Sequence, residues 1–171
     1  MTYPAIPSTV RKMKMPEQKR RNSARMSVPP EALAYGEIRL RFIRMGPGDE
    51  KRGFVPYYHF HILNPEGLAV GHLDFRVGDT NHVVLCAGHI GYEISGPFRG
   101  RGFAGQACRA IAPFVRSIYE AVIITTNPDN FASIRTIEKL GADFIDEIEV
   151  APHEPAYQSG VRRKKRFRWK P

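Results

Sequence analysis

A short glycine-rich string, Arg99-Gly100-Arg101-Gly102-Phe103-Ala104, lies between a strand-like run, Gly88 to Ile94, and a helix-like run, Phe103 to Tyr119. A glycine turn joining a strand to a helix start is a ready anion cradle. Glycine lets the backbone approach the anion, the first helical N–H groups lack partners, and the helix dipole adds positive potential. Arg99 and Arg101 add full charge and forked donors. The placement also calls for a sheet on one side of the turn and a crossover helix on the other.

The rest of the chain fits that demand. Glu37 to Met45 alternates at strand period, and Gly46-Pro47-Gly48-Asp49 ends it. Tyr57 to Leu63 and Leu68 to Val77 read as a hairpin around Asn64-Pro65-Glu66-Gly67, and a fourth strand is expected over Val83 to Ile94. Beyond the glycine turn, Phe103, Ala107, Ile111, Phe114 and Val115 fall at helical spacing, with Pro113 expected to kink the helix. Ala121 to Thr126 is an apolar strand of the kind buried on both faces. Asn130 then caps a helix carrying Ile134, Ile137 and Leu140, which Gly141 terminates. Ala142 to Val150, a loop over Ala151 to Gly160 and a last strand, Val161 to Trp169, complete an α/β architecture: a mixed sheet of six to seven strands with two main helices.

The 171 residues suit one domain. Residues 1–30 read as a basic flexible arm and 31–171 as the folded unit, with Pro29-Pro30 at the boundary. Residues 1–27 hold seven Lys/Arg and one Glu, and residues 161–171 hold seven Lys/Arg and no acid. Of the net +9 the two ends thus supply +13, which leaves the body at −4. That is a tail pattern, and the mildly acidic body leans toward a cationic partner. Alternation in Arg166-Phe167-Arg168-Trp169 favours an edge strand with the aromatic rings inward over an RNA-binding tail. No apolar run is long enough to span a membrane, and the basic N-terminus lacks the apolar core of a secretory signal. Cys86 and Cys108 read as small buried residues, consistent with a reducing, cytoplasmic setting.

These residues resemble the GNAT superfamily of acetyl-CoA-dependent N-acetyltransferases. The family's pyrophosphate motif, Gln/Arg-x-x-Gly-x-Gly/Ala, is matched by Arg99 through Ala104, and its second motif by Asn130-Phe131-Ala132-Ser133-Ile134-Arg135-Thr136-Ile137-Glu138-Lys139-Leu140-Gly141. The second motif is closest in style to the branch containing ribosomal-protein N-terminal acetyltransferases. The resemblance, over residues 36–169, implies a GNAT-like fold and transfer of acetyl from acetyl-CoA to a primary amine by direct attack in a ternary complex. It implies that Arg99, Gly100, Arg101, Gly102, Phe103 and Ala104 hold the pyrophosphate. The pantetheine arm would enter a gap opened by a bulge near Glu93-Ile94-Ser95, where Ile94 and Ser95 offer backbone. Asn130 and Ser133 would stand at the thioester end, with no metal.

The chain departs from the family in two places. The second-helix tyrosine that protonates the leaving thiolate in many members is Ile137 here, and the glutamate base of some members falls at about Thr125. Glu93 and His89 are the candidates left for the base, with Tyr92 nearby. Two front helices usually shape the acceptor site, but only Gly46 to Pro56 separates the strands here. The arm, the 151–160 loop or a second subunit would then cover an opened groove. His59 and His61 share a face, yet no third ligand is spaced to make a metal site. A protein N-terminus and a small-molecule amine both stay open as acceptor, as do a monomer and a homodimer. A CoA-binding regulatory module and an RNA- or ribosome-associated protein are the competing readings.

Overall fold

Ile38 and Leu40 point inward while Arg39 and Arg41 point out, and this alternation builds β2 (Ile38–Gly46) of a sheet whose inner face is the main core. The computed structural model describes residues 26–171. Most of the basic arm expected over 1–30 lies outside the described residues. The first sheet runs in sequence order through β1 (Leu33–Tyr35), β2, β3 (Tyr57–Leu63), β4 (Ala69–Arg76) and β5 (Ile90–Ile94), every neighbour antiparallel. Helix α1 (Phe103–Arg116) continues through Pro113 and lays Phe103, Ala107, Ile111, Phe114 and Val115 on the inner face. Tyr58 and Phe114 meet edge to face, ring centres 4.9 Å apart.

β6 (Val122–Thr126), α2 (Phe131–Lys139), β7 (Asp143–Glu149), α3 (Pro155–Gln158) and β8 (Arg163–Trp169) follow, and the strands form a second antiparallel sheet ordered β6-β8-β7. The expected α/β architecture is present, but in place of one mixed sheet of six to seven strands the described residues form eight strands in two antiparallel sheets. The division falls between β5 and β6, held at its closed end by one side chain. The His89 N–H donates to the Ile123 carbonyl at 2.7 Å, and the Ile123 N–H donates back to His89 Nδ1 at 3.0 Å. An imidazole thus stands where the next strand would offer a carbonyl. It is 1% exposed, and its Nε2 donates to Asp79 at 3.1 Å. The sheets diverge beyond it, with no bulge: the register of β4 on β5 is continuous from Gly71↔Ile94 to Phe75↔Ile90.

Three expectations are corrected. The fourth strand does not run from Val83. Residues His82–Ala87 wind as a π-helix closed by a Gly88 N–H donating to the Val83 carbonyl, and only Ile90–Ile94 is strand. The β-branched run is overridden because its buried residues, Val83 and Cys86, lie three apart, and its carbonyls are claimed by other elements. Thr125 Oγ1 donates to Cys86 O (2.6 Å), and Arg166 to Val84 O (3.1 Å). The C-terminal strand is not an edge. β8 lies between β6 and β7, where Phe167 and Trp169 are buried, Arg166 grips Asp146 with two bonds (2.7 and 2.6 Å), and Arg163 and Lys165 pair with Glu147. Finally, a short strand, β1, precedes the first one expected, turned back by Gly36 at φ +58°.

Candidate active site

The divergence of the sheets opens two cavities that meet at one point. The first, about 490 Å³, lies over the glycine turn and the start of α2; Glu93, Ile94, Phe98, Arg99, Gly102 and Arg135 are among its walls. The second, about 590 Å³, lies on the far side, between the π-helix, β6 and the loop carrying α3. Tyr92, Asn130 and Ser133 line both.

The first cavity has the form expected of an anion cradle. Gly100 and Gly102 take φ of +80° and +74°, a left-handed backbone disfavoured for any side chain, and a Cβ at either would meet nothing within 4 Å. The first bond into α1 runs from the Gln106 N–H to the Gly102 carbonyl, so the N–H groups of Phe103, Ala104 and Gly105 have no acceptor further back in the helix. Arg99 is partly committed: its Nε donates to Ile94 O at 2.8 Å, and Glu93 lies 3.9 Å from its Nη2. Arg101 rests over the Phe98 ring. Of the ten residues expected to hold the cofactor, eight line this cavity; Ser95 and Arg101 do not. The Ser95 N–H is taken by Val70 O (2.9 Å).

Asn130 caps α2, its Oδ1 accepting from the Ser133 N–H at 3.1 Å. The Ser133 hydroxyl and the Tyr92 phenol are 3.0 Å apart. Burial pushes the Tyr92 pKa well above its ordinary value. A proton-bearing hydroxyl therefore stands where the two cavities join. Sequence reasoning looked for it on α2, where Ile137 is wholly buried in the core.

Neither base candidate reaches the second cavity. His89 is the wedge described above, with both nitrogens engaged. Glu93 is exposed beside the first cavity, at the end of a cross-strand row of Arg41, His61, His72 and Glu93 on the open sheet face. On that face His59 bonds Asp74 at 2.7 Å, and its ring lies 5.8 and 5.5 Å from those of His61 and His72. The His61 pKa is lowered by burial and by its neighbours His59, Arg41 and His72. Among the described residues no group of three or more such side chains has metal-binding geometry.

The second cavity does contain an oriented imidazole. His82, at the start of the π-helix, has its Nδ1 2.6 Å from Glu154 Oε2, and its ring packs 4.5 Å from that of Phe54. Glu154 is 7% exposed. A buried carboxylate that fixes one imidazole nitrogen leaves the other in the acceptor tautomer. The pair is 72 residues apart in the chain and carries no local motif. Pro155 and Ala156 from the 151–160 loop, with Arg52 and Phe54 from the short front connector, complete the wall. That loop is one of the three coverings expected, and its Pro155 and Ala156 line the second cavity. Among the described residues no helix is long and apolar enough to cross a membrane.

The sequence profile of the acetyltransferase (GNAT) domain matches residues 12–143. No curated protein matches the sequence. Among solved structures, the acetyltransferase that modifies the N-terminal serine of a 50S ribosomal-subunit protein, from Salmonella typhimurium, is 18% identical, covers 71% of this chain and 67% of its own, and superposes with a TM-score of 0.53. A microcin self-immunity acetyltransferase in complex with acetyl-CoA and AMP is 19% identical (67% and 61% covered, TM-score 0.52). An acetyltransferase of the GNAT family from Bacillus anthracis is 22% identical (64% of each chain, TM-score 0.51). At these identities the likeness is one of fold, and the chain spans 61 to 67% of the length of these three.

Proposed function

This chain belongs to the GNAT acetyltransferase family, and we propose that it moves the acetyl group of acetyl-CoA to a primary amine by direct attack in a ternary complex. One observation carries the reading: an anion cradle and a separate cavity with an oriented histidine meet at Tyr92, Asn130 and Ser133. Two substrates entering from opposite sides would touch only there.

The residues fit the cofactor. Both cradle glycines face open space, and the α1 N–H groups with Arg99 suit a diphosphate. Acetyl-CoA supplies an activated acetyl thioester. Asn130 and Ser133 orient the reacting end at the junction. His82, aligned by Glu154, takes the proton that the amine nitrogen gives up as its bond to the acetyl carbon forms. The Tyr92 hydroxyl, kept protonated by burial, gives a proton to the sulfur as the carbon–sulfur bond breaks. Two side chains outside the family's usual positions thereby fill the roles that Ile137 and Thr125 cannot.

Calorimetric titration with acetyl-CoA and with CoA tests the cofactor half, and amine-dependent release of CoA tests the transfer half. Micromolar binding with transfer to at least one amine is expected. No binding of either ligand would refute the reading.

A further inference from the structure

The second cavity has a cationic wall. Arg52, Arg76 and Lys164 line it, and among the described residues no Asp or Glu does. Arg76 reaches it from β4 with its guanidinium laid over Gly91, where an added Cβ would stand 2.9 Å from Nη1. It donates to Gly88 O at 3.3 Å and has Asp74 only at 4.0 Å. Lys164 lies on β8, where its neighbours Arg163 and Lys165 share Glu147 and Arg166 pairs with Asp146. Among the described residues Lys164 itself has no ion pair. Burial lowers its pKa, against an opposing effect of Cys86, and Arg76 adds to the lowering. Desolvating a cation without a counter-ion is unfavourable, and a ligand can supply the missing charge. The same cavity contains Asn127, whose Oδ1 is buried and, among the described residues, accepts no hydrogen bond. An unused acceptor near two under-neutralised cations is complementary to an N–H donor joined to an anion.

We infer that the acceptor is a primary amine bearing a carboxylate or phosphate close to its nitrogen, with Lys164 and Arg76 binding the anion and Asn127 Oδ1 receiving an N–H. This rests on the acetyltransferase reading and adds the substrate class. The second cavity, at about 590 Å³, accommodates a ligand from amino-acid to nucleotide size. It opposes the lean toward a cationic acceptor drawn from net charge, because the wall facing the ligand governs recognition more closely than the sum over the surface.

The test is a matched set of amines on the full chain, by calorimetry with and without saturating CoA and by CoA release from acetyl-CoA. Serine amide is compared with phosphoserine amide, asparagine amide with aspartic acid amide, and spermidine serves as the polycation. At least one anionic member should bind roughly tenfold or more tighter than its neutral partner and be the better acceptor; which pair responds separates phosphate from carboxylate. Lys164→Met should erase the preference and Lys170→Met, on an exposed residue, should keep it. Arg52→Met, on the exposed front connector, should weaken it should Lys164→Met fail to fold. No anionic preference, tighter binding of spermidine, or a preference that survives both cavity variants would overturn the inference. Loss of CoA binding alone would instead count against the transferase reading, since the wall does not need CoA to bind an anion.

Discussion

Gly102→Glu separates a phosphate cradle from an ordinary turn. Gly102 stands at φ +74° with open space where a Cβ would go, so a side chain meets backbone strain but no clash. Strain of that kind is worth about 1–2 kcal/mol, or roughly 2–8 °C in Tm for a chain of this size. The effect on binding is larger. A carboxylate about 5 Å from a diphosphate of charge −2, at an effective dielectric of about 40, is repelled by about 3 kcal/mol, more than about a hundredfold in Kd. Gly67→Glu is the control: φ is +77°, a Cβ there also meets nothing within 4 Å, and the site is an exposed hairpin turn that lines neither cavity. Both variants should melt at similarly lowered temperatures by calorimetry. Only Gly102→Glu should lose CoA in titration, and Gly102→Ala should lose less, having the strain without the charge. CoA affinity within about threefold of wild type in Gly102→Glu, or an equal loss in Gly67→Glu, would refute the cradle.

Tyr92→Phe should keep acetyl-CoA affinity and lower kcat by about a hundredfold; an unchanged kcat would take the acid role from Tyr92. His82→Asn should lower kcat/KM by about a hundredfold or more and Glu154→Gln by a smaller factor, read from initial rates of CoA release, and full activity in His82→Asn would remove the base assignment. His89→Ala should cost about 2–4 kcal/mol in urea unfolding, since it leaves the Ile123 N–H without its acceptor and empties a buried site. Stability within about 0.5 kcal/mol of wild type would mean that His89 does not tie the two sheets together.

The helices and most strands were legible because their signals are local. Phe103 to Val115 repeats at helical period, Tyr57–Leu63 is a strand at the bounds read from its aromatic and β-branched residues, and Asn130 and Gly141 bracket α2 by their own backbone chemistry. What misled was a local signal outweighed by distant partners. Val83-Val84-Leu85-Cys86-Ala87 has strand composition, but Arg166 and Thr125, from two other strands, claim its carbonyls and a π-turn results. The basic C-terminus looked like a protected edge because Asp146 and Glu147, which neutralise it, belong to β7 and announce no pairing in the sequence.

The candidate site divides in the same way. The proposed cradle is contiguous in sequence, so glycine spacing points to it. The acceptor side is assembled from β4, the π-helix, the end of β6, the 151–160 loop and β8, and its members share nothing until the chain folds. Even His89, conspicuous in the sequence beside Glu93, takes its role from position. With Nδ1 receiving the Ile123 N–H and Nε2 bonded to Asp79, protonation would turn an acceptor of the sheet junction into a donor facing a donor. A histidine so committed cannot serve as a base without loosening the wedge. The proton-accepting role is then left to an imidazole whose second nitrogen is not spoken for, and among the described residues that line the second cavity, His82 is the only histidine.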